Sequence, residues 1–431
     1  MSPRLTPPRL LLLALAAGCA VPAGAQGPLR DIDARRDGRV SFRFAARPDV
    51  CGQGSSLLRI GGGALFESGS MTYSSGGGWN AACERGPIRV LITRAEGATV
   101  GVRTAVGEGE LPADVSDLGA VSSAAAATYF LDLAQRLDGR VGREALSAAV
   151  LADSADTWRG LLRLAGNASL SGGLREAAVG WLAREARAAE AADRREIVAA
   201  LERTTQDRNQ TLGLRRRAVS ALARAGEGGL DALLALARSG ETPVAGSAVD
   251  ALASSGDPRA REFLREAARD TRQSEAVRVQ AIKGLGGRDA TPSDYALLRQ
   301  LYPALTHGTA RQAVITELGQ AGGSDNSRWL LTLARDGSAS REDRSRAVRS
   351  AVQAGAGSAD LIQLFDTADE RNLKTTLIDQ MMRLGDRAAI DKVTSIARSD
   401  PDPSVRKSAV SRLARSSDPE VAQALRAMIE P

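Results

Sequence analysis

Two hydrophobic periods divide the chain. Between residues 27 and 112 apolar positions fall every second place. Val40, Phe42 and Phe44 alternate with Ser41 and Arg43, Ile88, Val90 and Ile92 with Arg89 and Leu91, and Val100, Val102 and Thr104 with Gly101 and Arg103. A period of two lines one face of a pleated strand, so each run predicts a half-buried strand. Leu57 to Ile60 is a shorter fourth candidate. Ala95-Glu96-Gly97 reads as a three-residue hairpin turn with glycine at the left-handed position. From about residue 118 the spacing is helical, and short Gly/Ser/Asp/Pro breaks recur every 12 to 18 residues.

The helical part repeats. A basic residue, two others and then Ala-Val-x-x-Leu recurs with variations, as in Arg175…Ala178-Val179…Leu182 and Arg215…Ala218-Val219…Leu222. The first apolar anchors fall at 178, 218, 248, 281, 313, 347, 377 and 409, at intervals of 40, 30, 33, 32, 34, 30 and 32. A second apolar helix lies between anchors each time: Leu230–Leu236, Phe263–Ala268, Leu297–Leu305, Trp329–Leu333, Leu361–Phe365, Ile390–Ile396 and, after the last, Val421–Ile429. Each unit therefore predicts a helical hairpin. Neither helix buries its apolar stripe alone, so the hairpins must stack.

The last unit reads Asp400-Pro401-Asp402-Pro403-Ser404-Val405-Arg406-Lys407-Ser408-Ala409-Val410. It resembles the short HEAT or HEAT-like repeat of the PBS-lyase type, where Asp-Pro-x-Val-Arg-x-x-Ala opens the second helix. Gly256-Asp257-Pro258 and Ser417-Asp418-Pro419 resemble the starts of its first helices. The resemblance implies a mainly α fold: an α-solenoid of about 8–9 stacked hairpins over 118–431, preceded by a small β-rich domain over 27–112. It also implies an interaction surface more than a chemistry. The unit from 178 to 218 carries an insertion, Thr375-Thr376-Leu377 departs from the pattern, and the units before 143 are degenerate, as a capping end would be.

The first 25 residues read as an export signal. Arg4 and Arg9 precede a short apolar run from Leu10 to Val21, and Ala23-Gly24-Ala25 fits a small-residue cleavage site. Leu15-Ala16-Ala17-Gly18-Cys19 resembles a bacterial lipobox, so a lipid anchor on Cys19 is the competing expectation. Both place the protein outside the cytoplasm, in the periplasm or beyond. No later segment is apolar enough to span a bilayer. Two cysteines then remain, Cys51 and Cys83, and an even pair in an exported chain predicts one disulfide.

Composition narrows the chemistry. The 431 residues hold a single histidine, His307, and 3% aromatics, with a net charge of +6 carried mainly by arginine. One histidine, not followed by glutamate, excludes the paired His-Glu steps with which some HEAT-like enzymes hold two irons. The glycine runs at 61–63 and 76–78 lack the Gly-Lys-Ser/Thr of a phosphate loop. Asp31, Asp33 and Asp37 miss calcium-loop spacing because Arg35 stands in a ligand position. Ser404-Val405-Arg406-Lys407 matches S-x-x-K, but the chain has no K-T-G strand to go with it.

The recurrent cations Arg175, Arg215, Arg278, Arg344, Lys374 and Arg406 form one row along the second helices. They read either as an inter-repeat ladder of Arg–Asp contacts or as a positive stripe for a partner. Arg216, Arg217, Arg311, Arg346 and Arg349 add charge beside them. The leading expectation is a non-enzymatic, cofactor-free scaffold of the bacterial envelope that binds a protein; nothing demands nucleic acid. One alternative is an enzyme or ligand-binding protein with a site near Glu67, Trp79 and Glu84 in the β-rich domain or at its junction with the solenoid. A polyanion binder using the arginine rows is the other.

Overall fold

The computed structural model describes residues 27–54, 57–60, 64–67, 70–73, 83–107, 110–226, 228–239, 242–416, 421, 422 and 425. The export signal with Cys19, Trp79, the side chain of Glu67 and most of Val421–Ile429 lie outside them. The chain divides into two compact units, residues 1–181 and 182–431.

Unit 1 opens with helix α1 (Gly27–Ala34) and holds two four-stranded sheets. The first is ordered β7–β6–β1–β8, from β1 (Gly38–Phe44), β6 (Ile88–Ala95), β7 (Ala98–Val106) and β8 (Val115–Ala120). β1 pairs antiparallel with β6, Val40 opposite Ile92 and Phe42 opposite Val90, which puts the expected apolar sets on one buried face. β8 runs parallel to β1 and lies beyond the boundary expected at 112. Its half-exposed sequence VSDLGA has no strict alternation to announce it. The second sheet is an antiparallel meander of β2 (Val50–Gly52), β3 (Leu57–Ile60), β4 (Ala64–Glu67) and β5 (Ser70–Tyr73).

Two local expectations need correction. The β6–β7 turn holds two residues, not three, and both are left-handed: Glu96 at φ 50° and Gly97 at φ 78°. That is the geometry matching the twist of a tight hairpin. Val100 does not share a face with Val102. The register steps from Thr93↔Gly101 to Arg94↔Thr99, so Val100 is the extra residue of a bulge and points to solvent, 43% exposed.

The sheet is covered by helices that the period assigned to the solenoid. Phe130 of α2 (Ser123–Arg136) stacks on Phe42 at 5.6 Å, with Phe44 and Tyr129 around them. Four of the chain's ten Phe and Tyr residues meet here. Buried Glu144 of α3 (Gly139–Val150) accepts the backbone N–H of Val102 at 3.1 Å. The degenerate early helices thus bury their apolar stripes on β-sheet. α4 (Trp158–Gly166) and α5 (Gly172–Ala188) follow.

Unit 2 contains seven hairpins among the described residues. They are α6 (Ala191–Gln206) with α7 (Leu212–Leu222), α8 (Gly229–Ser239) with α9 (Thr242–Ala253), α10 (Pro258–Arg269) with α11 (Glu275–Gly286), α12 (Pro292–Leu301) with α13 (Gly308–Ala321), α14 (Ser324–Arg335) with α15 (Arg341–Gln353), α16 (Ser358–Asp366) with α17 (Arg371–Leu384), and α18 (Arg387–Ser399) with α19 (Pro403–Leu413). The anchors Ala218, Ala248, Ala281, Ala347, Leu377 and Ala409 are fully buried on the second helices. The 40-residue interval is not a loop insertion: α5 and α6 are long, at 17 and 16 residues. The helix expected through Leu305 stops at Leu301 and tightens to a 3-10 turn over Tyr302–Ala304, where Pro303 has no N–H to continue it.

Candidate functional site

The recurrent cations occupy a repeated turn. In four hairpins the first helix ends at an Asx residue, a Ser or Thr follows four places later, and the arginine four places after that. The sets are Asn167, Ser171 and Arg175; Asp207, Thr211 and Arg215; Asp270, Ser274 and Arg278; and Asp336, Ser340 and Arg344. The Asx side chain accepts the N–H two residues on, at 3.0, 2.9, 2.9 and 2.9 Å. The hydroxyl accepts a first-turn N–H of the second helix at 3.4, 3.3, 3.4 and 3.0 Å. The arginine reaches back ten residues to a last-turn carbonyl of the first helix: Ala165, Thr205, Ala268 and Ala334, at 2.9, 2.8, 3.4 and 3.1 Å.

The physics is that of helix ends. A helix terminates with unpaired carbonyls and a partial negative charge, and a cation that bonds them satisfies both. Side chains of a helix lean toward its own N-terminus, which in a hairpin lies beside the C-terminus of the helix before. An arginine in the first turn is placed for this contact. The contacts of Arg175, Arg215 and Arg278 to these carbonyls therefore run within one hairpin, not between hairpins, and all three are buried. Arg406 does the same in a shortened turn, bonding the Asp400 carbonyl at 2.7 Å.

Two members of the row do reach the next hairpin. Arg344 adds an ion pair to Glu370 at 2.8 Å, and Lys374 meets buried Asp400 at 3.2 Å. The neighbouring arginines divide too. Arg311 bonds the Leu305 carbonyl at 2.7 Å, and Arg346 reaches Gln312 at 3.3 Å. Arg216, Arg217 and Arg349 are exposed.

Electrostatics follows the turn. Asp207, Asp270 and Asp336 are held below the ordinary carboxylate range, first by side-chain hydrogen bonds from Gln210, Arg272 and Ser338, then by the N–H two residues on. The capping arginine of each turn adds attraction. The three Asp turns are thus internally neutralised, and most of the row is not a free stripe of charge.

What remains exposed on the second helices mixes hydroxyls with cations outside the row, Arg216, Arg217 and Arg349 among them. Thr316, Thr375, Thr376 and Ser408 donate to their own helix four residues back, at 2.8 to 3.0 Å. Their lone pairs are left to accept. Neighbouring second helices are tied by Gln312 to Glu342 at 2.9 Å and by Arg371 to Asp402 at 2.6 Å. They also approach closely. A methyl on Gly284 would sit 2.7 Å from the Ala253 Cβ, and one on Gly319 would sit 2.6 Å from the Ser350 Cβ. Burial beside Gly286 pushes Glu317 up, against the attraction of Lys283.

His307 precedes the first turn of α13 without a side-chain capping bond, and its Nδ1 lies 3.4 Å from Glu275. Ser404 lies in the first turn of α19 and donates its N–H to Asp402 at 2.8 Å. In unit 1 the Sγ atoms of Cys51 and Cys83 lie 2.00 Å apart, with Cα atoms 5.3 Å apart. Beside them Gly52 and Glu84 exchange two backbone hydrogen bonds of 2.9 Å. Glu84 is exposed, and Trp79 and the side chain of Glu67, the other two residues of the expected pocket, fall outside what the structure describes.

Sequence reasoning found the arginines and missed their Asx and hydroxyl partners. The signal was available, because the 4 + 4 spacing recurs at 167, 207, 270 and 336.

No curated protein matches the chain. Human deoxyhypusine hydroxylase in complex with glycerol is similar at 21% identity and TM-score 0.27, over 55% of this chain and 90% of that one. Kap95 in a complex with Nup1 aligns at 12% identity and TM-score 0.41, over 69% of this chain. Kap95p with RanGDP gives 12% and 0.41 over 70%. The chain spans 47% of the length of each Kap95 chain. Residues 358–431, the segment beginning at α16, match the model of HEAT repeats.

Proposed function

We propose that this protein is a non-enzymatic scaffold of the bacterial envelope that binds a protein partner along the second helices of unit 2. The observation that carries the reading is the use of the recurrent cations. They close helix ends or tie adjacent hairpins, so the regular feature of the array is structural, and the exposed hydroxyls and the cations outside the row, Arg216, Arg217 and Arg349, are left for a partner. HEAT repeats at the C-terminal end and the basic-apolar leader support the same reading. So does the cysteine pair at disulfide distance, which suits an oxidising compartment.

Site-specific photo-crosslinking tests it in cells. A crosslinker at Ser345 or Thr375 on the second helices is expected to trap a discrete envelope protein, while one at Thr332 on a first helix traps none. Equal trapping from both rows, or recovery of the protein from the cytosol, would overturn it.

A further inference from the structure

The first helices of unit 2 end on a second set of arginines. Arg203, Arg238, Arg269, Arg335 and Arg398 stand in the last turns of α6, α8, α10, α14 and α18, all exposed. None forms an ion pair among the described residues. α12 breaks the row, since its Arg299 is bonded to Asn326, and α16 has no basic residue in its last turn. A cation at a helix C-terminus is favoured by the macrodipole. Here, however, the carbonyls of Thr205, Ala268 and Ala334 already have the second-helix arginines as partners. Arg203, Arg269 and Arg335 are thus charge in excess of what capping uses, whereas α9, the second helix paired with the α8 of Arg238, carries no arginine.

Three of them, Arg203, Arg238 and Arg269, lie on consecutive first helices. A cleft of about 580 Å³ opens among Arg238, Phe263, Glu266, Arg269, Asp270 and Arg272. The Arg238 guanidinium sits 5.4 Å over the Phe263 ring, and Asp270 is engaged by Arg272 at 3.0 Å. That leaves Arg238 and Arg269 at the cleft without a carboxylate partner.

We infer that this edge of unit 2 docks an extended acidic segment of a partner protein, with carboxylates about three residues apart. Neighbouring packed helices lie ~10 Å apart, and three residues of extended chain span about the same distance. A DNA duplex carries, on each strand, a phosphate roughly every 3.4 Å of its axis. Most of its phosphates would miss an arginine, and some would face Glu266. The edge is separate from the second-helix row, and the inference does not rest on that row binding anything.

Fluorescence anisotropy on the full chain tests it. The probes are a labelled Gly/Ser peptide with glutamate at every third position, the same composition with its glutamates clustered, and an oligonucleotide duplex. The spaced peptide is expected to bind tightest, and Arg203→Glu/Arg238→Glu/Arg269→Glu to weaken it about tenfold or more. Arg216→Glu/Arg217→Glu/Arg349→Glu, an equal charge change on the second helices, is expected to change it less than about threefold. If the first variant melts early, the Arg→Gln triple takes its place. Equal losses in the two variants, tighter binding of the oligonucleotide, or no binding at low salt would each overturn the inference.

Discussion

In unit 1 the fastening contacts join residues far apart in the chain: Cys51 with Cys83, Val40 with Ile92, Phe42 with Phe130, and Glu144 with the Val102 N–H. In unit 2 the recurrent fastening contact spans ten residues, from a second-helix arginine to a first-helix carbonyl, and each hairpin leans on its neighbours. A non-local fold loses its order as a whole, while a local one loses it piece by piece. The difference also says where to look for function. In a local array, repetition marks what holds each unit together, so the residues that break or exceed the repeat are the ones left for partners.

The sharpest break of this contrast is Ala281→Asp. Ala281 is fully buried between second helices, and an unpaired carboxylate there costs about 3–5 kcal/mol. Hydrogen exchange should show α9, α11 and α13 losing protection while β1, β6 and β7 keep theirs. Loss throughout both units would mean that the array is not quasi-linear.

The same contrast explains what could be read in advance. The hairpins were legible because each repeats one local pattern, with Ala218, Ala281 and Ala347 in equivalent buried places. The strands of Val40, Ile88 and Val102 were legible because one face of each is buried. β8 was not, because its parallel pairing with β1 is set by a partner some seventy-five residues away. The bulge at Val100 was not, because register depends on the opposite strand. The arginine row was visible as a row, but its role lay in carbonyls, which every residue type carries alike.

Removing the staple should give the mirror image of the first result. The Cys51→Ala/Cys83→Ala pair reopens a loop of about 33 residues, worth roughly 3–4 kcal/mol in the chain-entropy model. Exchange should rise around β2 and β3 and stay unchanged in α10 to α19. Loosening in the array would show that the units share stability.

A smaller effect tests the ties between hairpins by pH. Asp294 in α12 is fully buried; burial alone would raise its pKa, but hydrogen bonds from the Thr291 side chain and backbone and from Arg265 and Arg261 hold it at about 2, against an ordinary 3.8. A depressed carboxylate contributes stability that is complete above about pH 4 and lost as pH falls through about 2. The difference is worth about 2 kcal/mol. Urea midpoints of the wild type should fall over that window, and those of Asp294→Asn should fall less. Parallel curves would show that the Arg261 and Arg265 contacts do not couple α10 to α12.

The smallest effect has the opposite sign and belongs to unit 1. Glu96 holds φ at 50° in a turn that requires left-handed backbone at both central positions. A residue with a Cβ is disfavoured there, and glycine is not. The Glu96 N–H donates to Asp37 at 2.8 Å and the Gly97 N–H to the Arg36 carbonyl at 2.7 Å, so the backbone contacts survive replacement. Glu96→Gly removes the strain but adds freedom to the unfolded chain, which offsets part of the gain. Glu96→Asn keeps a side chain that tolerates the left-handed region without that added freedom. Glu96→Asn should therefore stabilise unit 1 by about 0.5–1 kcal/mol and exceed Glu96→Gly. Thermal melts of the two variants check the order. A destabilised Glu96→Asn would mean that the glutamate side chain itself, and not the turn geometry, holds the hairpin.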